Sequence, residues 1–409
     1  MDATRTLALR LLQATLEKHR SLEEALDALP QADPRDRAAA HRLAAAVLRR
    51  MGTLDAVLEP HLRRAPPAPV RLILLLGAAQ LLLLETPPHA AVATAVDLAR
   101  AEGLAPFAKL VNAVLRRVAA EGPSLLAELD SPRLDTPAWL WTAWGAEARA
   151  IATAHQHEAP LDLTLRPSAP PPPGAILLPT GSARLPAGTH VTDLPGFAEG
   201  NFWVQDAAAA LPATLLAVRP GERVADLCAA PGGKTAQLAA AGADVTAVER
   251  DPHRLKRLGE NLSRLRLHAT LIAADALSWA PAEKFDAVLL DAPCSATGTI
   301  RRHPDVPYLK RPADIAALAA VQTRLLHAAA RLLRPGGRLI YAVCSLQPEE
   351  GQAHIIDASL PLDPFTEAEL AALPEARTPA GTLRTHPAMW PDKGHLDGFF
   401  AARFRAPGA

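Results

Sequence analysis

The chain has 409 residues, enough for two or three domains at roughly 150 residues each. Its 43 Lys and Arg balance 43 Asp and Glu, a total that speaks against a surface coated in positive charge for gripping polyanions. With 49% hydrophobic and 21% charged residues the chain can bury a core, which excludes disorder; three cysteines exclude a disulfide framework and a four-thiolate zinc site. Met1 to Arg20 is broken by Arg5, Arg10 and Glu17, unlike a signal peptide. The longest apolar run, Leu72 to Leu84, contains Gln80 and is too short to span a bilayer. A soluble, multidomain, cytoplasmic protein is expected, with no metal and no membrane partner.

Residues 1–123 read as helix throughout. Leu7, Leu11, Leu12 and Leu16, then Leu43, Val47 and Leu48, recur at helical spacing. Pro66, Pro67 and Pro69 mark a loop, and Leu72–Leu84 is apolar nearly all round, as a central buried helix would be. From Lys109 to Val118 the apolar residues share one face, leaving Asn112, Arg116 and Arg117 on the other. No alternating β-branched run appears, so an all-α domain is expected.

Residues 124–200 read as a helical linker followed by a small irregular connector. The helical pattern persists to Trp144, Leu161–Leu165 alternates like a strand, and the proline run Ala169–Gly174 excludes helix. Ile176–Leu178, Arg184–Leu185 and His190–Leu194 are further strand-like fragments. Residues 201–409 repeat strand, glycine turn and helix. Strands are expected at Arg223–Leu227, Asp244–Glu249, Thr270–Ala274, Asp286–Leu290 and Arg338–Val343, with helices at Pro252–Leu265 and Pro312–Leu333. Apolar strands alternating with helices imply a Rossmann-like α/β domain: a parallel sheet covered on both faces, binding its ligand at the strands' carboxyl ends.

The turn Cys228-Ala229-Ala230-Pro231-Gly232-Gly233-Lys234 follows the first of these strands and opens a helix. Small residues let a ligand approach the backbone, and free N–H groups at a helix start attract polar groups. Gly233-Lys234-Thr235 imitates a phosphate loop, but that motif needs glycine where Cys228 stands. Glu249 ends the second strand, where a carboxylate can accept both ribose hydroxyls; Asp275 ends the third and Asp291 the fourth. Three carboxylates beside this turn suit an adenosine with a charged amino-acid tail better than a pyrophosphate, although each alone could simply cap the next helix.

Cys294 and Cys344 follow the fourth and fifth strands directly. If those strands pair, the two thiols face one cleft. A lone cysteine is usually a small buried hydrophobe, and Cys228 is read that way. Two thiols beside a methyl-donor site fit pyrimidine chemistry: a thiolate adding at carbon 6 of a pyrimidine makes carbon 5 nucleophilic. The adduct must then lose the carbon-5 proton, which calls for a second acid/base group. Asp291, holding a proton, could bond the ring nitrogen. From Arg301 to Arg338 eight basic residues face two acidic ones, a local +6, and residues 1–118 carry 16 basic against 12 acidic. Arg301 and Arg302, in a loop beside Cys294, read as phosphate contacts, whereas Arg324, Arg331 and Arg334 read as a solvated helix face.

These motifs, with Val204-Gln-Asp206, Asp291–Gly298, Ile300-Arg-Arg-His-Pro-Asp305, Tyr341–Ser345, Pro348-Glu-Glu350 and Asp397-Gly-Phe-Phe400, resemble the S-adenosylmethionine-dependent RNA 5-methylcytosine methyltransferases over residues 201–404. The N-terminal part, with Gly77-Ala-Ala-Gln80, His89-Ala-Ala-Val92 and Leu110–Arg117, resembles the NusB-type RNA-binding domain. The combination is similar to the RsmB/Sun (Fmu) group, which modifies a cytosine in small-subunit (16S) ribosomal RNA. The resemblance implies that Cys344 is the nucleophile and Cys294 assists product release; the residues alone leave that order open. It also implies that Cys228–Lys234, Glu249, Asp275 and Asp291 hold S-adenosylmethionine, and that Arg116 and Arg117 meet RNA, in a monomer. Two departures stand out: Glu249 replaces the commoner Asp, and residues 162–200 look shortened where relatives carry a fuller small domain. Action on transfer RNA, or an RNA-binding, antitermination-like factor with a vestigial catalytic half, are the alternatives.

Overall fold

The computed structural model describes residues 3–408. Two compact units emerge. One holds the residues up to His157 together with Ile300–Arg311; the other holds Glu158–Thr299 and the chain from Pro312 onward.

The first unit is helical: α1 Ala3–Leu16, α2 Leu22–Asp27, α3 Pro34–Arg49, α4 Met51–Leu58, α5 Ala68–Leu82, α6 Pro88–Ala101 and α7 Ala108–Glu128, then the shorter α8 Ser131–Leu134, α9 Ala138–Trp144 and α10 Ala148–His155. The expected break at residue 123 falls inside α7, which carries Pro123 in its interior and continues to Glu128. α5 is the central helix: Val70, Leu72 to Leu76, Ala78 and Ala79 are all buried. Each buried Val, Leu or Ile side chain contributes about 1.5–3 kcal/mol by leaving water. Its one buried amide, Gln80, accepts from Arg5 Nε at 3.2 Å. α2 starts with a capping box, Ser21 and Glu24 each satisfying the other's backbone N–H.

Ile300–Arg311, far along the chain, packs into this helical unit through α14, Val306–Leu309. Asp305 Oδ2 accepts the Leu22 N–H at 2.8 Å, the Tyr308 hydroxyl donates to the Leu48 carbonyl at 2.8 Å, and Arg49 donates to the Arg301 carbonyl at 2.7 Å.

The second unit begins with a four-stranded antiparallel sheet in the order β2-β3-β1-β4. The strands are β1 Leu161–Leu165, β2 Ile176–Leu177, β3 Ala183–Leu185 and β4 Phe202–Val204. The connector is thus more regular than expected. His190–Leu194 is the exception: Val191–Asp193 is a 3₁₀ turn, not a strand. Arg184 and Asp162 form a buried two-pronged ion pair, both contacts 2.6 Å, and Arg184 also donates to the Lys393 and His395 carbonyls.

The larger sheet has seven strands in the order β10-β11-β9-β8-β5-β6-β7. They are β5 Arg223–Leu227, β6 Asp244–Glu249, β7 Thr270–Ala273, β8 Phe285–Asp291, β9 Leu333–Val343, β10 Leu383–Arg384 and β11 Phe400–Arg405. Helices α11 Ala207–Leu215, α12 Gly233–Ala240, α13 Pro252–Leu265 and α15 Pro312–Arg331 accompany them. β5 to β9 are parallel, but β11 and β10 run antiparallel, so the expectation of a purely parallel sheet is corrected to a mixed one. β11 is buried over Phe400 to Phe404 and pairs with β9 along six rungs. The chain leaves β5 toward β6 and β7 on one side and returns to β8 on the other, which puts the ligand crevice at the carboxyl ends of β5 and β8. Among the described residues no helix is long and apolar enough to cross a membrane.

Candidate active site

The turn after β5 departs from ordinary backbone where a close approach requires it. Cys228 has φ 59° and Gly232 φ 101°, and a Cβ on Gly232 would press to 2.8 Å from the Leu258 side chain. Gly233 starts α12 with N–H groups pointing into the crevice end of the sheet. Beneath the turn, Asp226 is wholly buried and accepts from the Thr235 hydroxyl at 2.6 Å. Burial pushes its carboxyl up to about 7; the Thr235 bond opposes this and the Asp291 charge adds to it. Asp226 attracted no attention in the sequence because it reads as one polar residue in an apolar strand.

The strand-end acids divide into two kinds. Glu249 is buried; its Oε1 accepts the Asp251 N–H at 3.1 Å, and its Oε2 makes no hydrogen bond, with Arg254 at 3.5 Å. A buried carboxylate oxygen left without a bond is an acceptor awaiting a hydroxyl. Asp275 is exposed and takes the Leu277 N–H at 2.9 Å, opening a turn that no helix follows. Asp291 acquires a partner the sequence reading did not assign: Lys234 Nζ donates to its Oδ2 at 2.7 Å, and the ammonium lies 5.3 Å from the Phe399 ring centre. Burial works against the Lys234 charge, but Asp291, Cys344 and Asp226 outweigh it and hold its pKa above the ordinary value.

The two thiols meet. Asp291 on β8 is paired with Ala342 on β9, so the loops that follow run side by side, and Cys294 Sγ lies 3.4 Å from Cys344 Sγ. The hydrogen bond with Cys344 and then burial push the Cys294 thiol well above its usual range. Cys228 is a different case: burial, then the charges of Glu249, Asp291 and Asp226, push it up to about 12. Behind the thiols sits a buried polar cluster. Glu350 accepts from the Ser295 N–H at 2.8 Å, the Ser295 hydroxyl, the Ser345 hydroxyl at 2.5 Å and Gln322 Nε2 at 3.0 Å. Half-buried Arg384, its pKa lowered to about 10 by desolvation, donates to the Ser345 carbonyl at 2.6 Å. Pro348-Glu-Glu350 was the available signal, six residues beyond Cys344.

The predicted RNA contacts separate. Arg116 and Arg117 are exposed on α7; a groove beside Arg117 is also lined by His61, Arg63 and Arg64. Arg301 is only 1% exposed and Arg302 is half-buried. The burial of Arg301 takes it out of reach of a phosphate at the surface, a correction that follows from the anchoring of Ile300–Arg311 in the helical unit. The local +6 is not one patch either. Its first four cations lie in one unit and its last four in the other, where Arg334 pairs with Asp286 and Arg338 with Glu222.

Comparison with known proteins gives the lineage of the chain. Residues 213–405 match the family described as 16S rRNA methyltransferase RsmB/F, and residues 2–120 match the NusB family. Ribosomal RNA small subunit methyltransferase B of Xanthomonas campestris pv. campestris is 40% identical, covering 98% of this chain and 96% of its own. The protein of the same name from Pseudomonas putida is 39% identical, with coverages of 98% and 97%. A solved methyltransferase homolog protein from Pyrococcus horikoshii is 26% identical with a TM-score of 0.54, covering 68% of this chain and 96% of that one. Likeness at this level along the full length settles the lineage. The chain belongs to the ribosomal RNA small subunit methyltransferase B family.

Proposed function

We propose that this protein methylates carbon 5 of a cytosine in small-subunit ribosomal RNA, with S-adenosylmethionine as methyl donor, acting as a monomer. The observation that carries the reading is the pair of thiols 3.4 Å apart at the ends of β8 and β9.

The residues present suit the donor. Glu249 Oε2 is a buried acceptor for the ribose, and the side-chain-poor turn at Gly232 and Gly233 admits the amino-acid tail. When bound, S-adenosylmethionine supplies an electrophilic methyl group to carbon 5. The protein's own groups do the rest. Cys344 Sγ bonds to carbon 6, and the electron pair it displaces moves onto carbon 5 and the ring nitrogen. The sequence reading needs a proton on Asp291 for that nitrogen. Beside Lys234 the donor is the ammonium itself, while Asp291 accepts from the exocyclic amino group.

Release uses the hydrogen bond between the two thiols. As the carbon 6–sulfur bond breaks, the Cys294 thiol gives its proton to Cys344 Sγ across their hydrogen bond. The Cys294 thiolate so formed is a strong base and takes the carbon-5 proton, restoring the carbon 5–carbon 6 double bond. The next turnover needs one proton lost from Cys344, which matches the proton set free by the methylation. Arg116, Arg117 and the neighbouring Arg63 and Arg64 supply positive charge for the phosphate backbone.

The experiment is transfer of labelled methyl from S-adenosylmethionine to ribosomal RNA, with the product located by bisulfite sequencing. A single protected cytosine in small-subunit RNA is expected. Label in transfer RNA but not ribosomal RNA would overturn the substrate, and a protein that does not bind the donor by calorimetry would favour the vestigial, RNA-binding alternative.

A further inference from the structure

Glu350 is 0% exposed, on a short 3₁₀ turn six residues past Cys344. A buried carboxylate is costly unless its oxygens are well bonded. Among the described residues its four hydrogen-bond donors are uncharged, and they come from three separate places. Ser295, next to Cys294, gives both its N–H and its hydroxyl; Ser345, next to Cys344, gives its hydroxyl; Gln322 on α15 gives an amide N–H.

Gln322 is itself oriented. Its amide also donates to the Pro293 carbonyl at 2.9 Å, on the other side of Cys294, and its oxygen meets His354 Nε2 at 3.0 Å. The Glu350 backbone is held by the Tyr341 hydroxyl on β9, 2.6 Å from the Glu350 carbonyl. Arg384 also donates to the Ser345 carbonyl. One carboxylate therefore ties together the residues that follow both cysteines. Turns alone could be satisfied by backbone groups or neutral side chains. A charged acceptor gives shorter, stiffer bonds, about twice as strong as neutral ones.

We propose that Glu350 is a positioning residue that holds Cys294 and Cys344 at proton-transfer range, so that the thiol of one is poised on the sulfur of the other when the product leaves. It touches neither RNA nor donor in this role. The inference rests on the thiol roles proposed above, and it makes a prediction that does not depend on them.

The test is Glu350→Gln, which keeps the shape and removes the charge. Three readouts are taken: methyl transfer to ribosomal RNA, the fraction of protein held as covalent RNA adduct, and the rate at which diamide joins Cys294 to Cys344 without RNA. The expected result is a kcat at least tenfold lower with KM within twofold, more adduct at steady state, and disulfide formation at least tenfold slower. Wild-type kcat, adduct level and disulfide rate in a folded Glu350→Gln protein would overturn the proposal. If that variant does not fold, Ser345→Ala, which removes one donor, decides by the same readouts, with a smaller fall expected and wild-type values fatal. Cys294→Ala protein that forms no RNA adduct would sink the reaction scheme alone. The diamide rates would still judge the clamp.

Discussion

Gly298 and Gly398 bring the Cys294 loop against the segment entering β11, and replacing Gly298 with alanine tests that approach. A Cβ on Gly298 would sit 2.0 Å from the Gly398 carbonyl oxygen, backbone that cannot rotate away. Relief requires a shift of roughly an ångström. Two hydrogen bonds stand in the path of that shift, Gly298 N–H to the Cys344 carbonyl at 3.0 Å and Gly398 N–H to the Gly298 carbonyl at 2.8 Å. Losing them costs about 0.5–1.5 kcal/mol each, and overpacking adds about 1–3 kcal/mol. Gly298→Ala is therefore expected to destabilise by about 2–6 kcal/mol in urea unfolding, and to slow methyl transfer because the Cys344 carbonyl moves. Gly259→Ala is the control: it lies in α13, where the nearest neighbour of a Cβ is the Leu271 side chain at 3.1 Å. That variant should be neutral within about 1 kcal/mol, as ordinary helix propensity implies. Gly298→Ala with less than about 1 kcal/mol of loss would refute the close-packing argument.

Three further expectations follow from groups around the site. Asp226 has its carboxyl raised from 3.8 to about 7 in the fold, so the unfolded chain ionises first and stability falls as pH rises between those values. At 1.36 kcal/mol per unit the loss from pH 5 to pH 8 is about 2–3 kcal/mol; Asp226→Asn, which can still accept from Thr235, should flatten the profile, and parallel profiles would contradict this. Alkylation at pH 7.5 followed by mass spectrometry should label Cys344 and leave Cys228 unmodified, because the Cys228 thiol is pushed up to about 12; equal labelling would remove that distinction. Arg116→Glu with Arg117→Glu should weaken RNA binding and lower the log–log salt slope by about 0.7 for each single-strand phosphate that is no longer neutralised, and an unchanged slope would place the RNA elsewhere.

Much of the catalytic fold could be read directly. β5 and β6 begin and end where apolar alternation and the glycine turn place them, and α13 runs from Pro252 to Leu265 as expected. The meeting of Cys294 and Cys344 was also legible, because successive βαβ units put β8 beside β9. What escaped depends on partners distant in sequence. β11 is recognisable only once β9 offers it an edge, so the antiparallel side of the sheet was missed. A charge count cannot reveal that Asp305 and Tyr308 anchor the segment carrying Arg301 in the helical unit, or that Arg301 is buried. Glu350 looks like one more surface acid until α15 and two loops close over it. The Lys234–Asp291 pair is of the same kind, joining the start of α12 to the end of β8.

The central claim is that Cys344 attacks the base and Cys294 frees the product. The measurement that addresses it most directly is denaturing electrophoresis of Cys294→Ala protein incubated with ribosomal RNA and S-adenosylmethionine. A covalent protein–RNA band that accumulates in Cys294→Ala and vanishes when Cys344→Ala is added is the predicted result. A band that persists without Cys344, or full methyl transfer by Cys344→Ala alone, would contradict the account.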